Sequence, residues 1–102
     1  MAVKYQIIYW RDIPAQIKVR AKRQRLSRPL PKRFEVAIDE AAMRANKTES
    51  EDYLAEWRNG DWHEVEGEPE TLLAQVVADL ESKYSPDRVR NLVRQGGLEA
   101  GS

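Results

Sequence analysis

The sequence predicts an α+β domain: a small antiparallel sheet of three to four strands, packed on one side by two main helices, plus a short C-terminal helix. Three observations predict it. β-Branched and aromatic residues with a period of two fill the first thirty positions. Two apolar stripes with helical spacing follow, over 32–46 and 69–84. The chain has 102 residues, 41% of them hydrophobic, which suffices for one core burying roughly two-thirds of the unfolded surface. A single domain over 1–97 is expected, with a disordered tail over 98–102.

The first strand is Val3–Trp10, with Val3, Tyr5, Ile7 and Tyr9 on one face and Ile8 and Trp10 adding apolar bulk to the other. Asp12-Ile13-Pro14 predicts a turn, because Pro14 has no N–H for a ladder. Residues 15–22 alternate: Ile17, Val19 and Ala21 face one way, Lys18, Arg20 and Lys22 the other. The alternation breaks at Lys22-Arg23-Gln24, so the strand either bulges or returns as a short strand over 25–30.

Pro31 opens a helix over 32–46, whose stripe is Phe34, Ala37, Ile38, Ala41, Ala42 and Ala45. That stripe is expected to pack under the first strand, against Tyr5 and Ile7. Residues 48–66 admit two readings. Thr48-Glu49-Ser50-Glu51 matches a capping box for a short helix over 49–58. Asn59-Gly60 between two strand-like runs instead favours a hairpin pairing Trp57 with Trp62. Pro69 then opens a helix with the stripe Leu72, Leu73, Val76, Val77 and Leu80. Ser85 caps a last helix that starts at Pro86 and stops at Gly96-Gly97.

Composition excludes several chemistries. There is no cysteine, hence no disulfide, thiolate nucleophile or Cys-ligated metal. No phosphate-cradling glycine pattern and no nucleophile elbow is present. His63, the single histidine, reads as a surface strand residue, without a second His or Cys to complete a ligand set. No catalytic residue, metal or cofactor is expected. The absence of a long apolar run predicts a soluble, cytoplasmic protein.

Charge is segregated although Lys+Arg and Asp+Glu both number 17. From Ile13 through Phe34 there are eight basic residues and no acid: Lys18, Arg20, Lys22, Arg23, Arg25, Arg28, Lys32 and Arg33. From Glu49 through Glu70 there are nine acids, with Arg58 as the sole Lys or Arg. A basic β-ribbon grips anionic groups well, arginine above all. An exposed Trp10 beside Arg11 would anchor a protein interface. The expected contact set is therefore Trp10, Arg11, Lys18, Arg20, Lys22, Arg23, Arg25 and Arg28, serving a protein partner. A nucleic-acid binder using the same ribbon is the alternative.

Three stretches are distinctive: Tyr5-Gln6-Ile7-Ile8-Tyr9-Trp10-Arg11-Asp12-Ile13-Pro14-Ala15-Gln16, then Leu30-Pro31-Lys32-Arg33-Phe34 with Ala37-Ile38-Asp39 and Ala41-Ala42-Met43, then Tyr53-Leu54 and Glu56-Trp57. Over roughly residues 3–82 the chain resembles the small bacterial "virulence factor" domain family. That family occurs alone in proteobacteria and as a segment of conserved virulence factor C proteins. Asn59–Glu66 departs from the pattern. The resemblance implies no chemical activity. The helical repeats that accompany the domain in larger relatives imply a non-catalytic accessory or interaction module. The gene neighbourhoods of the stand-alone form imply a further alternative, a small subunit of a folate-linked one-carbon enzyme complex.

Overall fold

In the computed structural model, which describes residues 2–99, nine elements follow one another. They are β1 (Ala2–Trp10), β2 (Ile13–Ala21), β3 (Gln24–Pro29), α1 (Lys32–Arg44), α2 (Ser50–Ala55), β4 (Trp57–Asn59), β5 (His63–Glu66), α3 (Pro69–Lys83) and α4 (Pro86–Arg94). The sheet is antiparallel and runs β3-β2-β1-β4, with β5 also paired to β1. It has five strands but only four positions across, because β4 lies beside Ile8–Trp10 and β5 beside Ala2–Tyr5.

Alternation in β2 sets the layers. Ile17 and Val19 are buried while Lys18 and Arg20 are exposed, so one face meets helices and the other meets solvent. The break at 22–23 is a turn and the chain returns as β3, with Arg20 opposite Arg25 and Lys18 opposite Ser27.

Helix α1 buries the expected Phe34, Ala37, Ile38, Ala41 and Ala42, but it packs on β2 and α4, not under β1. Helix α3 packs on β2 and β3. Its register follows from Pro69 at the first position and from Leu73, Val76 and Leu80 on the buried side. Ser85 caps α4 by accepting from the Arg88 N–H at 3.2 Å. Ile38 is 3% exposed, so Ile38→Ala should cost about 2–5 kcal/mol. A urea melt showing under about half a kcal/mol would refute its place in the core.

Pro14 lies inside β2 rather than in a turn. It sits opposite Tyr9, where the register with β1 shifts between Ile8 and Tyr9, an irregularity that tolerates a residue without an N–H. The turn itself is Arg11-Asp12, with Arg11 at φ 52°. Both readings of 48–66 hold in part. The short helix forms over Ser50–Ala55. The two runs after it are strands, yet they pair with β1 and not with each other. Gly60 is the junction. Its N–H donates to the Ile7 carbonyl at 2.8 Å, and its own carbonyl accepts from Gln6 Nε2 at 2.9 Å. A Cβ there would lie 2.9 Å from the Ile7 oxygen. Asn-Gly thus marks a close backbone approach, not a two-residue hairpin.

Of the expected tail, 100–102 lie outside the described residues. Glu99 is tied down: its N–H donates to Asp12 Oδ2 at 2.7 Å, and its Oε1 meets Arg88 at 2.8 Å. Among the described residues no helix is long and apolar enough to cross a membrane.

Burial raises the phenol pKa of Tyr9, Tyr53 and Tyr84 above 10.0, with nearby carboxylates adding to it. The neutral phenol is therefore favoured in the folded state. The stability this contributes is complete below the unfolded value near 10 and is lost as pH rises through the raised folded values. Melting temperature should fall as buffers pass about pH 10; a flat profile across that range would contradict the burial.

Candidate functional site

Trp10 and Arg11 are internal. The Trp10 side chain is 0% exposed. Its indole N–H donates to the Tyr53 carbonyl at 3.0 Å, and the ring stacks on Tyr53 with centroids 5.9 Å apart. The turn after α4 closes over it, since a Cβ at Gly97 would lie 3.0 Å from the ring. The expected exposed aromatic corner is therefore absent: the register shift at Ile8/Tyr9 ends β1 among α2 and the chain after α4. Arg11 is spent inside the fold as well. Its guanidinium donates to the Gly96 carbonyl at 3.0 Å and pairs with Glu56 at 3.3 Å.

The ribbon β2–β3 presents the other six. Lys18, Arg20 and Arg25 project from the solvent-facing side, with Ser27 beside them. Lys22 and Arg23 are exposed, with Arg23 in the turn between the strands. Arg28 is exposed on β3 opposite Ile17, hence on the opposite face from Arg25. Of the two further basic residues in the span, Lys32 is exposed, while Arg33 stacks on Phe34 at 4.2 Å and donates to the Glu81 carbonyl. Among the described residues no carboxylate forms an ion pair with Lys18, Arg20, Lys22, Arg23, Arg25 or Arg28.

The geometry of the open face is a row. Glu64, Lys4, Arg20 and Arg25 stand opposite one another on β5, β1, β2 and β3. Three cations on adjacent strands destabilise one another, because directly opposed like charges repel. Trp62 adds a ring to this face: the Arg20 guanidinium carbon lies 5.0 Å from its centroid, a cation–π contact. Lys18, Arg20, Arg25, Ser27 and Trp62 line a shallow depression of about 250 Å³.

Sequence reasoning missed Lys4, Ser27 and Trp62. Lys4 and Ser27 belong to the face only through strand register. The hairpin reading of 48–66 pairs Trp62 with Trp57, whereas Trp57 is half-buried against the core and Trp62 is 39% exposed. A larger depression of about 340 Å³ lies between α1, α2 and the start of β2, with Tyr53, Trp57, Glu35 and Asp39 on its walls. His63 is exposed on β5, its ring 5.0 Å from that of Tyr5. Among the described residues no cluster of three His, Cys, Asp or Glu is placed to hold a metal ion.

A family model described as "Virulence factor" matches residues 8–93. No curated protein and no solved structure matches the chain significantly.

Proposed function

The chain belongs to the virulence factor family, a label that names an association and no reaction, and on the residues described above we propose that it is a non-catalytic interaction module binding an anionic protein partner through the β2–β3 ribbon. The observation that carries the reading is the set of exposed cations on the ribbon, held in strand register and without acid partners among the described residues. Cations left in a mutually repelling row gain most from a ligand that brings negative charge. Burial takes Trp10 and Arg11 out of the proposed contact set, which then consists of the ribbon cations with Trp62 beside them.

The test compares native-host captures made with the wild-type chain and with an Arg20→Glu/Arg25→Glu variant, both treated with nuclease. The expected result is a specific protein retained by the first and lost by the second, whatever the nuclease. Capture that disappears on nuclease treatment would move the ribbon to nucleic acid. Capture indifferent to the charge reversal would remove the ribbon from the function.

A further inference from the structure

The cation row has one closed end and one open end. On the β5 side Glu64 stands opposite Lys4, so the row terminates on a carboxylate carried by an antiparallel strand. On the β3 side Arg25 is the last member, and β3 is an edge of the sheet. Its free edge still carries backbone groups. The Leu30 N–H donates inward to the Ala15 carbonyl at 2.9 Å. Alternation from Leu30 points the N–H groups of Arg28 and Leu26 inward and those of Ser27 and Arg25 outward. Pro29 has no N–H and ends the donor series.

Resting on the proposed function, we infer that the partner's contact segment is an acidic extended peptide that adds to the outer edge of β3 as a fifth strand position, placing a carboxylate opposite Arg25. The chain's own β5, His-Glu-Val-Glu, shows the type: a short strand with acids at alternate positions, the arrangement that closes the other end of the row. Backbone pairing with Ser27 and Arg25 supplies register, and the cations supply sign. A nucleic-acid backbone fits less well. It offers no alternating donors and acceptors for the edge, among the described residues Trp62 is the one exposed ring lining the depression on the ribbon, and a long polyanion crossing the sheet would meet Glu64 on β5.

The test uses fluorescence anisotropy with a labelled peptide of alternating Glu and Val. Controls are its Lys-Val counterpart, a version N-methylated at alternate residues, and an oligothymidylate of equal charge. The Glu-Val peptide should bind while the Lys-Val and N-methylated peptides should not. Arg20→Glu/Arg25→Glu should weaken binding by roughly tenfold or more. Ser27→Pro should weaken it comparably without removing a charge, since it deletes an outward N–H that the fold does not use. The N-methylated peptide makes the same comparison on the unaltered protein. If charge reversal abolishes binding while Ser27→Pro and N-methylation do nothing, the ribbon reading stands and edge pairing is overturned. If neither protein variant matters, both fall. Tighter binding of the oligothymidylate overturns the peptide in favour of nucleic acid. Concentration-dependent self-association abolished by Ser27→Pro overturns it in favour of a second copy of this chain.

Discussion

Replacing Trp10 by alanine should cost about 3–5 kcal/mol, a large share of the about 5–15 kcal/mol that small domains hold in total. The ring is fully buried, stacks on Tyr53 and lies under Gly97, so its removal opens a cavity between α2 and the turn after α4, two distant parts of the chain. Trp10→Phe separates two contributions. It keeps most of the apolar contact and deprives the Tyr53 carbonyl of its donor, which should cost about 1–3 kcal/mol. Denaturant melts of the two variants check the pair. A loss under about 1 kcal/mol for Trp10→Ala would mean that the ring is not enclosed. The substitution is therefore a test of folding. Information about binding has to come from Arg20, Arg25 and Ser27.

The second large effect is expected at Gly97. Its φ is 93°, which an L residue adopts only under strain, and a Cβ would lie 3.0 Å from the Trp10 ring and 3.4 Å from the Arg11 Cβ. Gly97→Ala should cost roughly 1–3 kcal/mol from backbone conformation, with steric crowding adding to it. A cycle with Trp10→Ala distinguishes the two causes. If crowding matters, Gly97→Ala should cost less once the ring is gone, and the double variant should be less damaged than the sum. Full additivity would assign the cost to the backbone alone.

Much of the fold was legible in the sequence because its signals were local. Period-two alternation at Ile17–Ala21 placed a strand, the Phe34–Ala42 stripe placed α1, and Ser85-Pro86 with Gly96-Gly97 bracketed α4. What stayed hidden depends on pairing between distant residues. Trp10 looked exposed because strict alternation put it opposite Tyr9, and nothing local announced the Ile8/Tyr9 register shift or the wrapping of that end by α2 and Gly97. Asn59-Gly60 carried a hairpin signal that the Ile7 carbonyl overrode by taking the Gly60 N–H. The basic ribbon was legible as composition. Its arrangement as a row ending on Glu64 was not, since that needs the register of four strands at once.

The bond from the Glu99 N–H to Asp12 Oδ2 spans 87 residues, and it has a consequence for how the protein is born. At ordinary ribosomal speeds, roughly 4–17 seconds of translation separate the two partners. The first hairpin can pair once β2 has been made and has emerged, but the turn at Arg11-Asp12 then still lacks Gly96 and Glu99 against it, and Trp10 lacks its last wall until Gly97 arrives. Until Gly97 is made the indole of the nascent chain is only partly covered, and native closure around it waits on translation rather than on the quick pairing of β1 with β2.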